Sequence, residues 1–182
     1  MNKKNKITII GMGYIGLPLA VEFSKYYEVI GYDINKKKIR EITNNHKFKF
    51  EITNSINLIK DSNIYIIAVP TPVFKNNKPD LKPLINSSKL ISKILKKNDL
   101  VIYESTVYPG TTDDLLIPIL ENYSKLKINV DFHCGYSPER LNPGSKFDDL
   151  KKIVKVTSGS NNFAANKVDK LYKKIIKIGT HK

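Results

Sequence analysis

The feature that most constrains this chain is a glycine-rich turn after a short apolar run near its start. Residues 7–10 (Ile-Thr-Ile-Ile) are followed by Gly11, Gly13 and Gly16, which have the spacing G-x-G-x-x-G. Gly11 permits a tight turn out of a strand, Gly13 lets a pyrophosphate approach the backbone N–H groups, and Gly16 lets the next helix pack closely. The pattern therefore predicts a strand, a tight turn and a helix that together face an anionic ligand.

A carboxylate follows at the distance that a dinucleotide-binding chain needs. The apolar run Glu28–Tyr32 ends at Asp33, which follows Gly11 by about 20 residues, the spacing at which an aspartate takes the 2′-hydroxyl of an adenosine ribose. Strand, glycine turn, helix, strand and carboxylate together predict a dinucleotide-binding βαβ unit. A βαβ unit that binds no ligand is the alternative interpretation of the same residues.

The size and composition of the chain are those of a globular protein. Its 182 residues are 41% hydrophobic, which is enough to bury a sizeable core. We find no apolar run of about 20 residues, the length of a membrane span. The charged start is not followed by an apolar signal core, so neither a membrane segment nor a signal peptide is predicted. The single cysteine, Cys134, rules out an internal disulfide and favours a reducing, cytoplasmic location.

The net charge of +14 raises the question of nucleic-acid binding. Nearly all of the positive charge comes from lysines scattered along the chain, whereas the arginines that favour base recognition are only Arg40 and Arg140. Solvated helix faces therefore explain the charge better than a nucleic-acid surface does. Electrostatic attraction of an anionic substrate stays open as an alternative.

Strand-like and helix-like segments alternate along the chain. Continuous apolar runs predict strands, and apolar residues at helical spacing predict helices. The predicted strands are 7–10, 28–32, 64–69, 100–103, 128–134 and 153–156, and the predicted helices are 15–26, 36–42, 84–95, 115–120 and 163–176, with a loop at 43–50. This order predicts an α/β fold with a Rossmann-like, doubly wound, mostly parallel sheet and helices on both faces. We expect residues 1–182 to form one such domain.

The ends of the predicted strands identify a candidate site. In doubly wound sheets, ligands bind outside the carboxyl ends of the strands. The segments that follow the strands are Gly11–Gly16, Asp33, Val69–Pro72, Ser105–Thr106 and Ser137–Asn142. We expect these segments to converge at one edge of the sheet.

Polar side chains in these segments allow two interpretations each. The hydroxyls of Thr71 and Thr106 either bind a ligand or end a strand and cap the next helix. Glu139 and Arg140 either supply an acid–base group and an anion binder or form an ion pair on the surface.

The cysteine and the histidines provide little evidence for catalysis. Cys134 lies in a predicted buried strand and has no cationic neighbour in the sequence, so a structural cysteine is favoured over a nucleophile. His46, His133 and His181 do not have metal-ligand spacing, and no metal site is predicted.

Four ordered motifs resemble a known family across nearly the whole chain. The motifs are Gly-Tyr-Ile-Gly-Leu-Pro-Leu-Ala (13–20), Val-Pro-Thr-Pro-Val (69–73), Glu-Ser-Thr-Val-Tyr-Pro-Gly-Thr-Thr (104–112) and Tyr-Ser-Pro-Glu-Arg-Leu-Asn-Pro-Gly (136–144). They are similar to the amino-terminal NAD-binding domain of the UDP-glucose/GDP-mannose dehydrogenases. The residues of these motifs most resemble those of the branch that oxidises UDP-N-acetylhexosamines for capsule and surface polysaccharide synthesis.

The resemblance implies an NAD-dependent oxidation of a sugar C6 alcohol to a carboxylate, and it implies a set of cofactor contacts. The residues that would hold the pyrophosphate are Gly11, Gly13, Tyr14, Ile15 and Gly16. Asp33 would take the ribose with Lys38 beside it, and a carboxylate there favours NAD over NADP. Val69 and Thr71 would line the dinucleotide.

The same resemblance implies catalytic and substrate residues. Thr106 would contact the nicotinamide and the reactive water, and Glu139 would be the acid–base group that serves thioester hydrolysis. The sugar-nucleotide site would begin with Glu139, Arg140, Leu141 and Asn142.

The chain also departs from the family pattern. The family's nucleophilic cysteine, catalytic lysine and catalytic asparagine belong to a later helical dimerisation region and a second domain, which this sequence does not contain, and Cys134 does not match the nucleophile's motif. The segment between the helix at 36–42 and the strand at 64–69 is also shorter than is usual. We therefore expect a truncated chain that binds NAD weakly and lacks the full oxidation, with a UDP-sugar as substrate and a homodimer expected for the full-length family. A non-catalytic NAD(H) or nucleotide-sugar sensing module is the alternative.

Overall fold

A computed structural model of the chain describes residues 5–140 and 153–182. The strands in these ranges are β1 Lys6–Ile10, β2 Glu28–Tyr32, β3 Glu51–Thr53, β4 Ile64–Ile67, β5 Leu100–Tyr103, β6 His133–Tyr136, β7 Lys155–Val156, β8 Ser158–Gly159 and β9 Thr180–His181. The helices are α1 Gly16–Phe23, α2 Lys36–Asn45, α3 Ile56–Ile59, α4 Lys82–Ser92, α5 Ile117–Ser124, which continues a π-helical turn Thr111–Leu116, and α6 Asn162–Tyr172.

The described residues form a seven-stranded sheet in the order β3-β2-β1-β4-β5-β6-β8. The first six strands of this order, from β3 to β6, run parallel to one another, whereas β8 runs antiparallel to β6. The strand order reverses between β1 and β4, because β2 and β3 lie on one side of β1 and the later strands lie on the other. Doubly wound sheets open a crevice at such a reversal. The predicted Rossmann-like, mostly parallel sheet is confirmed.

Helices cover both faces of the sheet. On one face α1 packs on β1 and β2, and α6 packs on β6 and β8, with Phe23 and Tyr172 in edge-to-face ring contact. On the other face α4 and α5 pack on β4 and β5, around Tyr65 and Leu120. All four residues of β4 are buried, which is why its sequence is continuously apolar.

Two predicted strands have different bounds in the structure. The strand predicted at 128–134 begins at His133, because Asn129 adopts a left-handed conformation and Asp131 accepts a hydrogen bond from the Lys127 N–H, so this segment turns. The strand predicted at 153–156 pairs only at Lys155–Val156. It pairs with β9 in a separate two-stranded sheet, and β8, which no apolar pattern predicts, completes the main sheet.

The predicted loop at 43–50 is also partly wrong. Helix α2 continues to Asn45, and the N–H of the following residue, His46, still donates to the Ile42 carbonyl. Strand β3 then pairs with β2 and lies at one edge of the sheet, where three residues were too few to produce a visible pattern. The other helices agree in place and differ by a few residues at their ends. Within the described ranges, no helix has both the length and the apolar character that a membrane span requires.

Candidate functional site

The carboxyl ends of the central strands open into a cleft of about 890 Å³. Most of the predicted site residues line it, namely Gly11, Gly13, Tyr14, Ile15, Asp33, Lys38, Val69, Thr71, Thr106 and Glu139. Gly16, in the first turn of α1, and Arg140, which follows Glu139 in the chain, are not among the lining residues. Leu141 and Asn142 fall outside the described residues. The structure therefore brings the predicted strand-end segments together, as expected.

The three glycines of the turn have different local roles. Gly11 has a φ of 95° and donates a hydrogen bond of 2.7 Å to the Tyr32 carbonyl, which ties the turn to the end of β2. A Cβ on Gly16 would lie 1.8 Å from the Gly11 carbonyl oxygen, so only glycine lets α1 start this close to the turn. A Cβ on Gly13 would meet nothing nearer than the Lys38 Nζ at 4.0 Å.

The open space at Gly13 is the observation that tests whether this site fits a dinucleotide. Gly13 lines the cleft, and packing within the protein does not require a glycine there. The N-cap residue of α1 is Ile15, whose apolar side chain cannot accept the N–H groups of the first turn. A bare backbone at a helix N-terminus suits an anionic group such as a diphosphate. The residues present therefore fit the group that the sequence predicts.

Asp33 is held at the end of β2 by donors on both carboxylate oxygens. Oδ2 accepts from the Met12 N–H at 2.9 Å and from Lys38 Nζ at 2.9 Å, and Oδ1 accepts from the Asn35 N–H at 2.9 Å. Burial works to raise the pKa of Asp33, but the hydrogen bonds from Asn35, Lys38 and Met12 outweigh it and lower the pKa. Asp33 is therefore a fixed, ionised carboxylate on the wall of the cleft.

Hydroxyl groups join the strand ends at the other end of the cleft. Thr71 Oγ1 donates to the Thr106 carbonyl at 3.2 Å, and Thr106 Oγ1 donates to the Glu139 carbonyl at 3.2 Å. Ser105 Oγ bonds to the Val69 carbonyl at 2.5 Å. These bonds run between neighbouring segments, so the two threonines fix the strand ends to each other while their side chains line the cleft.

Glu139 and Arg140 do not contact each other through their side chains as a simple ion pair would. The Arg140 backbone N–H donates to Glu139 Oε1 at 2.6 Å, whereas the Arg140 guanidinium donates to the Val154 carbonyl at 3.2 Å. Glu139 lines the cleft, and the Arg140 side chain bonds this segment to Val154, just before β7.

A buried polar cluster adjoins the cleft, which Glu104 helps to line, and no sequence pattern predicted it. Glu104 and Tyr172 are fully buried, and Lys155 is 2% exposed. Lys155 Nζ lies 2.6 Å from Glu104 Oε2, and the Tyr172 hydroxyl donates to Glu104 Oε1. Burial raises the pKa of Glu104, and the charge and hydrogen bond of Lys155 and the hydrogen bond of Tyr172 offset this only in part. A charged residue at the end of an apolar strand, Leu100–Tyr103, was the available signal.

Cys134 is buried in β6, where the structure confirms the structural interpretation. Burial, and then the negative charges of Asp113 and Glu121, raise the pKa of its thiol well above the usual value. A thiolate, which is the reactive form, is therefore disfavoured.

We expect Cys134 to resist thiol reagents in the folded protein. Its raised pKa and its burial should make labelling by 5,5′-dithiobis(2-nitrobenzoic acid) slower than that of the urea-unfolded chain by about 100-fold or more. The absorbance of the released thiolate at neutral pH measures both rates. Equal rates before and after unfolding would contradict the structural role.

Comparisons with known proteins agree with the fold. The chain matches the family model described as UDP-glucose/GDP-mannose dehydrogenase family, NAD binding domain, over residues 5–51 and 43–176. It is 46% identical over 193 residues to UDP-N-acetyl-D-glucosamine 6-dehydrogenase from Pseudomonas aeruginosa, covering 99% of this chain and 46% of that protein. It is 43% identical to protein CapL from Staphylococcus aureus, covering 97% of this chain and 44% of CapL.

A solved structure extends the likeness to three dimensions. The UDP-D-ManNAc dehydrogenase from Pyrococcus horikoshii superimposes with a TM-score of 0.89 at 34% sequence identity, covering 96% of this chain and 46% of that chain. The chain thus spans under half the length of the relatives that it matches.

Proposed function

Because this chain belongs to the UDP-glucose/GDP-mannose dehydrogenase family, we propose that it holds NAD for the oxidation of a UDP-sugar. The reaction would convert the C6 alcohol of a UDP-sugar or UDP-N-acetylhexosamine to the uronate for surface polysaccharide synthesis. NAD would be the hydride acceptor. The observation that carries the proposal is the pairing, in one cleft, of the bare backbone at Gly13 with the fixed carboxylate of Asp33.

The two ends of the cleft suit the two ends of a dinucleotide. The residues that would bind the pyrophosphate are Gly11, Gly13, Tyr14, Ile15 and Gly16. Asp33, with Lys38 at 2.9 Å, would take the adenosine ribose. This leaves the opposite end, which Val69, Thr71 and Thr106 line, for the nicotinamide. A dinucleotide that spans the strand reversal is the common arrangement in such sheets.

Glu139 is the residue on the cleft wall that is suited to proton transfer. Glu139 lines the cleft together with Ser105 and Thr106. We propose that Glu139 acts as the acid–base group and that Arg140, with Leu141 and Asn142, begins the sugar-nucleotide site. The whole protein would act in the cytoplasm on a UDP-sugar, as a homodimer, with no nucleic acid or membrane as partner.

One observation favours the narrower role of binding without the full oxidation. The single cysteine of the sequence is Cys134, which is buried with a raised pKa. These residues therefore supply no cysteine nucleophile of their own, so the sensing module remains the second candidate.

Calorimetric titration of the chain with NAD tests the proposed function, and Asp33→Asn tests the site. We expect wild type to bind NAD. We expect Asp33→Asn to bind it about tenfold or more weakly, because hydrogen bonds to a charged group contribute about 1.5–3 kcal/mol each. The affinity for NADP relative to NAD should rise, because the carboxylate that repels a 2′-phosphate is gone.

Asp131→Asn is the matched control for this titration. Asp131 also accepts a backbone N–H, from Lys127 at 2.9 Å, and pairs with a lysine, Lys97 at 3.2 Å, but it does not line the cleft. We expect its NAD affinity to equal that of wild type. Absence of heat with NAD in the wild-type chain would overturn the proposed function.

A further inference from the structure

The ammonium group of Lys155 is bound on several sides by the turn that leads to Glu139. Besides Glu104, Lys155 Nζ donates to the carbonyl oxygens of Ser137 at 3.2 Å and Pro138 at 3.1 Å, and it lies 3.5 Å from Glu139 Oε2. A lysine ammonium carries three N–H donors, and these contacts employ them inside the protein. One buried cation thus contacts three successive residues of this turn.

The position of Lys155 is itself fixed from two further elements. Glu104, at the end of β5, binds the ammonium through Oε2 and accepts the Tyr172 hydroxyl of α6 at Oε1. Burial, followed by the charge of Glu104, raises the pKa of Tyr172, so the hydroxyl keeps its proton and donates. With β5, α6 and β7 each supplying one member, the ammonium has little freedom to move.

The backbone of Glu139 is fixed independently of its side chain. Its N–H donates to the Glu104 carbonyl at 3.0 Å, and its carbonyl accepts from Thr106 Oγ1 at 3.2 Å. The side chain, in contrast, has Lys155 at one carboxylate oxygen and the Arg140 N–H at the other. The cation is therefore placed to hold the backbone carbonyls of Ser137 and Pro138 and to determine the direction of the Glu139 carboxylate.

We propose that Lys155 is a positioning residue, which holds the turn 137–139 and the Glu139 carboxylate in place at the nicotinamide end of the cleft. The proposal rests on the proposed function, because that function gives this end of the cleft its ligand. The adenosine end does not depend on Lys155, since Asp33 is held by Met12, Asn35 and Lys38. Loss of Lys155 should therefore affect one end of the cleft and spare the other.

Titration with NAD and with AMP separates the two ends. We expect Lys155→Met to bind AMP within about twofold of wild type and to bind NAD about tenfold more weakly, because the nicotinamide end of the cleft is then no longer preorganised. Lys173→Met is the matched control, because it removes a lysine–carboxylate pair, 2.7 Å to Asp169, whose two residues do not line the cleft. It should change neither affinity. Equal losses of AMP and NAD affinity in Lys155→Met, or no loss of either, would overturn the proposal.

A second variant keeps the test valid if Lys155→Met does not fold. The pair Glu104→Gln with Lys155→Met leaves no unpaired buried charge, and we expect it to fold and to show the same split between AMP and NAD. The carboxyl ¹³C resonance of Glu139, assigned with Glu139→Gln, needs no ligand. It should shift in the Lys155 variants and stay unchanged in Lys173→Met, and an unchanged signal in the Lys155 variants would refute positioning. If wild type bound neither ligand, the proposed function would fail while this resonance still decided the role of Lys155.

Discussion

Gly16→Ala should destabilise the fold by about 3 kcal/mol and abolish measurable NAD binding. The added Cβ would lie 1.8 Å from the Gly11 carbonyl oxygen and 3.4 Å from the Ala68 Cβ. Non-bonded carbon contacts are optimal at about 3.5–4.0 Å, so α1 must move away from the turn. That movement separates the helix N-terminus from the strand end to which Gly11 is bonded.

Gly13→Ala is the variant that separates packing from binding. Its methyl group would meet nothing closer than 4.0 Å, and Gly13 does not have a positive φ. We expect its free energy of unfolding to stay within about 0.5 kcal/mol of wild type. Its NAD affinity should fall about tenfold or more, because the methyl occupies the space that a pyrophosphate needs.

Urea unfolding and calorimetry together measure the two glycine variants. The expected pattern is loss of stability and binding for Gly16→Ala, and loss of binding alone for Gly13→Ala. A Gly13→Ala variant that bound NAD as tightly as wild type would show that the diphosphate does not lie against this turn. A fully stable Gly16→Ala would contradict the close packing of α1.

Lys155→Met should lower the free energy of unfolding by about 3–5 kcal/mol at neutral pH, the cost of leaving one member of a buried ion pair uncompensated. Glu104 is fully buried and would keep the Tyr172 hydroxyl but lose the cation at 2.6 Å. The double variant with Glu104→Gln should recover most of the loss, because no buried charge is left unpaired. Urea unfolding of the three proteins measures the differences.

The loss of stability in Lys155→Met should shrink as the pH falls. Glu104 has a folded-state pKa above its usual value, so its ionisation favours unfolding, and Lys155 offsets that cost in wild type. Without Lys155 the pKa of Glu104 rises further, and mild acid then protonates the carboxyl and removes the unpaired charge. In wild type, the same acid protonates Glu104 and so removes the negative charge that pairs with Lys155. A pH-independent difference in stability would contradict this account.

The sequence predicts the elements that are long and apolar. Strand β4 is buried on both faces and appears as an unbroken apolar run, and the glycine turn after β1 has a geometry that few other residues tolerate. Strands β3 and β8 escape prediction because their residues carry no apolar periodicity. Their positions are determined by pairing with distant strands, which a local pattern does not record.

The site was predictable as a set of strand ends but not as a network of contacts. The topology rule places Asp33, Thr106 and Glu139 at one edge of the sheet, and the structure agrees. The buried cluster joins Glu104 to Lys155 and Tyr172, which lie 51 and 68 residues from it in the sequence. A buried charged residue requires a partner, but the sequence alone does not show which residue provides it.

The short strands at the two edges of the sheet also limit how this protein can associate. β3 has three residues and β8 has two, so each edge offers few exposed N–H and C=O groups to a strand from another chain. Short edge strands of this kind disfavour strand addition, domain swapping and amyloid-like stacking. The apolar strands β1 and β4 lie in the middle of the sheet, where each is paired on both sides. Association through helix faces or side chains is therefore more compatible with this architecture than extension of the sheet.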